Sequence, residues 1–327
     1  MSDAPQIGVL GAGAWGTALA QLLASDGRAV RLWAREVEVA EAINTAHENP
    51  VFLPGQPLSA QITTTDDLTM MNGLEALLVV TPAQHMRSVL QQLETPGALV
   101  LCCKGIEASS GRFMTDIANE IFPDAPIAVL SGPTFAHEVA AGKPTAVTLS
   151  CTDDALWEQL APMIARRHFR PYRSRDMIGA EIGGAVKNVL AIACGVVDGL
   201  GLGQNARAAL ISRGFAEMVR FGVACGAEAE TLNGLSGLGD LVLTCSSERS
   251  RNFALGRSLG EGESAQALMT GRTTVAEGAH TAPVLQKVAQ ARDVDMPIVD
   301  AVCTLLSGVA DAQSVVEALL SRPLGAE

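Results

Sequence analysis

Lys187 is the one charged residue in the apolar run Ile182-Gly183-Gly184-Ala185-Val186-Lys187-Asn188-Val189-Leu190-Ala191-Ile192-Ala193. A stretch apolar nearly all round reads as a buried helix. An unpartnered buried ammonium is costly, so Lys187 should be paired, functional or both. A desolvated ammonium gives up its proton more readily than a solvated one, as a general acid must. A lysine snorkelling to water at a domain edge would produce the same local sequence. Gly183 and Gly184 weaken the helix but let another backbone or a cofactor come close.

A second chemistry-bearing pattern is Gly11-Ala12-Gly13-Ala14-Trp15-Gly16, which matches G-x-G-x-x-G. Alone it is weak. Here an apolar strand ends at Leu10 and a helix starts near Ala14, the context that makes the pattern a dinucleotide signature. The first glycine permits the tight turn, the second the approach of a pyrophosphate, and the third close helix packing. Amides at the helix start then face the phosphates. The second strand ends Leu32-Trp33-Ala34-Arg35-Glu36, with Trp33 where an NAD site often has an acid. Arg35 can stack on adenine or meet a 2′-phosphate, whereas Glu36 can bind a free 2′-hydroxyl. NADP is favoured and NAD is permitted.

Other residues are placed to meet an anion. Lys104 follows the run Ala98–Cys103, at the carboxyl end of a strand. Ser131-Gly132-Pro133-Thr134-Phe135-Ala136 can make a turn in which Thr134 opens a helix as its N-cap. Ser236-Gly237-Leu238-Gly239-Asp240-Leu241, with Thr244 beyond, and Arg249-Ser250-Arg251-Asn252 lie further on. In the latter, a hydroxyl, a guanidinium fork and helix-start amides suit a phosphate. Thr273-Thr274-Val275-Ala276-Glu277-Gly278 starts a helix whose dipole suits Glu277 without any ligand. The five histidines show no metal-ligand spacing, so no metal is expected.

These side chains need a scaffold. Strand patterns at Ile7–Leu10, Ala29–Trp33, Ala76–Val80, Ala98–Cys102, Ile127–Leu130 and Ala146–Leu149 alternate with helical ones. That order predicts an α/β, Rossmann-like, doubly wound and mostly parallel sheet. From Asp176 onward only helices are expected, with glycine-punctuated stretches at Gly234–Gly239 and Gly256–Gly262. The division falls near 185, giving an NAD(P)-binding domain over 1–185 and an all-α, substrate-binding domain over 186–327. The 327 residues are 48% hydrophobic with a net charge of −12. Such acidity disfavours nucleic acid and anionic membrane, so an anionic substrate needs a local basic cluster. The seven cysteines form neither a Cys-x-x-Cys pair nor a disulfide framework. With no signal-peptide pattern and no apolar run near the ~18 residues of a membrane span, a cytoplasmic protein without membrane insertion is expected.

Nearly the whole chain resembles the bacterial NAD(P)-dependent glycerol-3-phosphate dehydrogenases. G-A-G-A-W-G-T-A-L-A, L-W-A-R, C-K-G-I, L-S-G-P-T-F-A-H-E-V, G-A-V-K-N-V-L-A-I-A-C-G, N-A-R-A-A-L-I-S-R-G, L-S-G-L-G-D-L-V-L-T-C, S-R-N and V-A-E-G occur in the family's order. Ala14 and Thr134 stand where members often carry serine. The resemblance implies reversible reduction of dihydroxyacetone phosphate to sn-glycerol 3-phosphate, feeding glycerophospholipid synthesis. Lys187 would be general acid and base, with Asn188, Asp240 and Thr244 around the reacting oxygen. Lys104, Gly132, Thr134, Ser250, Arg251 and Asn252 would contact the phosphorylated substrate. Gly11, Gly13, Ala14, Trp15, Gly16, Arg35, Lys104, Ala136, Arg251, Val275 and Glu277 would contact NADP or NAD. A homodimer is compatible with all of this. A β-hydroxyacid-type dehydrogenase or a non-catalytic NAD(P)-sensing protein would share the glycine turn but need not carry Ser250-Arg251-Asn252.

Overall fold

Short runs of Val, Leu, Ile and Ala build the centre of a sheet. The computed structural model describes residues 6–270 and 276–322, and it divides into two compact units. The first comprises Met1–Lys104 and Arg112–Glu181, the second Gly105–Gly111 and Ile182–Glu327.

The first unit holds eight strands: β1 (Ile7–Leu10), β2 (Val30–Trp33), β3 (Ile62–Thr65), β4 (Ala76–Val79), β5 (Ala98–Leu101), β6 (Ile127–Ser131), β7 (Thr145–Ser150) and β8 (Phe169–Ser174). Between them lie α1 (Ala14–Ala24), α2 (Val37–Ala46), α3 (Ala83–Leu90), α4 (Met114–Ile121), α5 (Ala136–Ala140) and α6 (Asp154–Ile164). The sheet order is β3-β2-β1-β4-β5-β6-β7-β8. Every pairing is parallel except β6 with β7, where Leu130 opposes Leu149. β1, β4, β5 and β6 are buried throughout. Their alternate residues face two cores: Val9, Leu78, Val100 and Leu130 one, Leu10, Leu77, Leu101 and Val129 the other. Burial on both faces is why these strands read as continuous apolar runs.

Strands β3 and β8 escaped the sequence reading. Both are edge strands, and their sequences, Ile-Thr-Thr-Thr and Phe-Arg-Pro-Tyr-Arg-Ser, are polar because each leaves part of its surface in water. A proline is tolerated at such an edge.

The second unit is helical among the described residues. It contains most of α7 (Met177–Gly199), then α8 (Gly203–Ala224), α9 (Ala229–Asn233), a π-helical turn Leu235–Gly239, α10 (Asp240–Cys245), α11 (Arg251–Gly260), α12 (Ala265–Thr270), α13 (Glu277–Gln290), α14 (Pro297–Leu306) and α15 (Ala312–Leu320). Gly256 and Gly260, expected in a glycine-punctuated connection, lie inside α11. They are there for space: a Cβ on Gly256 would sit 1.9 Å from the Ile192 carbonyl oxygen, and one on Gly199 of α7 would sit 2.3 Å from that of Arg257. Helices α7 and α11 thus touch backbone to backbone. Helix α7 is long and apolar enough to cross a membrane, but 94% of its most apolar window is buried inside the protein.

Two buried glutamates cap helices. Glu181 accepts from the Thr115 amide (3.0 Å) and hydroxyl (2.6 Å) in the first turn of α4. Glu217 of α8 accepts from the Ile298 and Val299 amides at the start of α14 (2.8 and 3.4 Å). Burial pushes both carboxyls up to about 7, against the opposing pull of these hydrogen bonds. A folded-state pKa above the unfolded value means the native state binds the proton more tightly. That stability is fully present below the unfolded value near 4.5 and is lost as pH rises through about 7. The melting temperature should therefore fall between about pH 5 and about pH 8. Glu217→Gln, neutral throughout, should flatten the decline. A slope unchanged in Glu217→Gln would remove this residue from the effect.

Candidate active site

In the first unit the three glycines of the β1–α1 turn do different things. Gly11 has φ +113, a conformation that side chains rarely adopt. A Cβ on Gly16 would lie 1.8 Å from the Gly11 carbonyl oxygen, so α1 begins hard against the strand end. A Cβ on Gly13 would meet nothing within 4 Å. That glycine borders open space at the N-terminus of α1, where no side chain caps the helix and the first turn holds no acid. Ala14 and Trp15 follow it, and the Trp15 indole nitrogen is buried without a hydrogen-bond partner. An open, uncapped helix start beside an orphaned donor fits a dinucleotide's pyrophosphate.

Beside this turn, Trp15, Lys104, Leu130, Ser131, Gly132, Thr134 and Val147 line a narrow crevice. The Lys104 ammonium donates to the Gly132 carbonyl at 3.5 Å. Thr134 is not the N-cap of α5. That position is Phe135, and the Thr134 hydroxyl donates instead to the Gly132 carbonyl at 3.2 Å. Gly132 itself has φ +153, a conformation that favours glycine. Ala136 is the first residue of α5.

At the end of β2, Trp33 is buried and donates to the Asp66 carbonyl at 3.0 Å. Arg35 is exposed and bonds its neighbour Glu36 at 2.6 and 3.0 Å. The two opposing cofactor cues are thus joined in one surface ion pair. Such pairs contribute about 0–1 kcal/mol and open readily.

In the second unit, Lys187 is 5% exposed and Asp240 fully buried. The Lys187 Nζ lies 2.5 Å from Asp240 Oδ1 and donates to Thr244 Oγ1 at 3.2 Å. The Thr244 hydroxyl donates in turn to the Asp240 carbonyl at 2.6 Å. The lysine is therefore paired inside the protein rather than snorkelling to water. Its carboxylate stands at the first residue of α10, directly after the π turn. A buried ammonium held by a carboxylate and a hydroxyl can give a proton to a developing alkoxide and recover it in reverse.

Asn188 follows on α7, and its Oδ1 accepts from Asn252 Nδ2 at 3.0 Å. Asn252 Oδ1 accepts from the Gly278 amide at 2.9 Å. Buried Asn252 thus ties α7, α11 and α13 together, a linkage its place in a Ser-Arg-Asn run did not reveal. Ser250 is the N-cap of α11, its Oγ accepting from the Phe253 amide at 3.3 Å. Arg251 is exposed at the first position of that helix, whose first turn holds no acid. Glu277 is the first residue of α13. Val275 lies outside the described residues. The hydroxyl of Ser236, in the run that also carries Asp240, is buried without a hydrogen-bond partner; the helix-capping roles of Glu181 and Glu217 had no signal beyond a polar residue among apolar ones.

Comparison with known proteins places the chain in a family. The family model for the NAD-dependent glycerol-3-phosphate dehydrogenase N-terminus matches residues 6–157, and that for the C-terminus matches 176–317. A glycerol-3-phosphate dehydrogenase (NAD(P)+) of Erythrobacter litoralis is 66% identical over 323 residues, 98% of each chain. One of Novosphingobium aromaticivorans is 65% identical over 324 residues, again 98% of each. The crystal structure of glycerol-3-phosphate dehydrogenase from Coxiella burnetii aligns with TM-score 0.93 at 37% identity, covering 98% of this chain and 100% of that one. With the glycine turn, the sheet order and the buried lysine–aspartate pair in place, the chain belongs to the NAD-dependent glycerol-3-phosphate dehydrogenase family.

Proposed function

We propose that the chain reversibly reduces dihydroxyacetone phosphate to sn-glycerol 3-phosphate with NADPH or NADH. The observation that carries the reading is the buried Lys187–Asp240–Thr244 cluster, a proton donor built into a chain that also carries a dinucleotide turn. NAD(P)H, when bound, supplies the hydride to the C2 carbonyl. Gly11, Gly13, Ala14, Trp15 and Gly16 would hold its pyrophosphate region, and Arg35 would hold its adenosine part. Lys104 and Ala136, in the same unit, would make further contacts with it.

Lys187 gives its proton to the C2 oxygen as charge develops there. Asp240 fixes the ammonium in place, and Thr244 fixes Asp240 through its carbonyl. Asn188 stands next to the donor and is itself held by Asn252. Arg251 and the amides at the start of α11, beside Ser250, receive the substrate phosphate. On this reading residues 1–185 carry the cofactor and 186–327 the substrate. The product supplies glycerophospholipid synthesis in the cytoplasm, a compartment consistent with the free cysteines of the described residues. A homodimer is compatible with this reading.

Initial rates of NADPH and NADH oxidation with dihydroxyacetone phosphate, set beside a panel of 3-keto acids, test the proposal. Turnover confined to the phosphorylated ketone supports it. Preference for a keto acid, or cofactor binding without turnover of any ketone, would replace it.

A further inference from the structure

Helix α7 meets the π turn more closely than two side-chain-bearing helices can. A Cβ on Gly183 would lie 2.1 Å from the Ser236 carbonyl oxygen, 2.7 Å from its carbonyl carbon and 3.0 Å from the Gly237 Cα. The atoms in the way are backbone, so no rotamer change would relieve the clash. On the other side, a Cβ on Gly237 would lie 1.9 Å from the Leu232 carbonyl oxygen. The turn is closed by a wide loop, the Gly239 amide donating to the Gly234 carbonyl at 3.0 Å. Such π turns are rare and concentrate at functional sites.

The contact lies four residues before the reactive pair in both segments. Lys187 follows Gly183 by four positions, and Asp240 follows Ser236 by four. Residues four apart on a helix share a face. On α7 this puts Gly183 on the same face as Lys187, whose Nζ lies 2.5 Å from Asp240 Oδ1 just beyond the π turn.

We propose that Gly183 is a positioning residue for the reaction: its missing side chain lets the backbone of α7 rest on the π turn, and that seat sets where the Lys187 ammonium is held. This rests on Lys187 being the proton donor. A methyl group at 183 must move the two segments apart by roughly 1 Å to regain an ordinary carbon–oxygen separation. A misplacement of about 1 Å costs on the order of a hundredfold in rate.

The test uses the full chain with dihydroxyacetone phosphate and saturating NADPH. Gly183→Ala should lower kcat about a hundredfold and alter the pH dependence of kcat, while KM for NADPH stays within about twofold. Gly199→Ala, whose Cβ would press on α11 at 2.3 Å, is the control. It should lower the melting temperature comparably and leave the pH profile unchanged. Adding Asp240→Glu to Gly183→Ala extends the carboxylate by about one bond length, ~1.5 Å, and should recover part of the lost kcat.

Wild-type kcat and pH profile in Gly183→Ala would overturn the proposal. So would losses in both glycine variants that simply track their melting temperatures. Should Gly183→Ala not fold, Asp240→Glu alone decides: a fixed seat cannot admit the extra methylene, so retained kcat would overturn the idea. If Lys187→Met remains active, the donor assignment itself has failed. If it is inactive while Gly183→Ala is normal, only the positioning role has failed.

Discussion

Replacing Lys187 by methionine should lower turnover of dihydroxyacetone phosphate by about 10²–10⁴-fold, the usual worth of a positioned general acid. NADPH binding, followed by fluorescence titration, should survive, because the glycine turn belongs to the other unit of the chain. The substitution has a second consequence. It leaves Asp240, fully buried, without the ammonium it faces at 2.5 Å. Removing one member of a buried pair destabilises by about 3–5 kcal/mol, whereas replacing both with apolar groups is often neutral. Lys187→Met with Asp240→Leu should therefore regain the melting temperature lost by the single variant and remain inactive. Near-normal turnover in folded Lys187→Met would refute the role. Recovery of turnover in the double variant would show that only stability had been lost.

Arg251→Ala should separate substrates by their phosphate. A hydrogen bond to a charged group contributes about 1.5–3 kcal/mol, or roughly ten- to 150-fold in kcat/KM. Binding energy gathered at the remote phosphate serves to orient the carbonyl, so part of the loss should appear in kcat. The fall with dihydroxyacetone phosphate should reach that size, while the slow rate with free dihydroxyacetone should hardly change. Because Arg251 is exposed, the fold should be unaffected, within about 0.5 kcal/mol. Arg251→Lys should fall between, keeping the charge and losing the fork. Equal losses on both substrates would remove the phosphate role.

The chain announces much of this locally. Gly11, Gly13 and Gly16 mark their turn because strand, glycine spacing and helix are all contiguous. The central strands are legible because burial on two faces demands unbroken apolar runs. Lys187 stands out for the same reason in reverse, as a lone charge in an apolar helix. Strands β3 and β8 are silent because edge strands carry polar residues, and Thr134 looked like a cap because its type, not its backbone, was visible.

What the sequence determined by itself is the class of chemistry: a dinucleotide turn, an ammonium in an apolar helix and an arginine at a helix start, each set by neighbours a few residues away. What only the tertiary structure decided is partnership. Asp240 and Thr244 reach Lys187, Asn252 reaches Asn188 and Gly278, and Glu217 reaches the start of α14. These pairings join residues tens of positions apart, and they depend on how closely helices approach. That approach is set by glycines whose missing side chains matter only once another backbone lies against them.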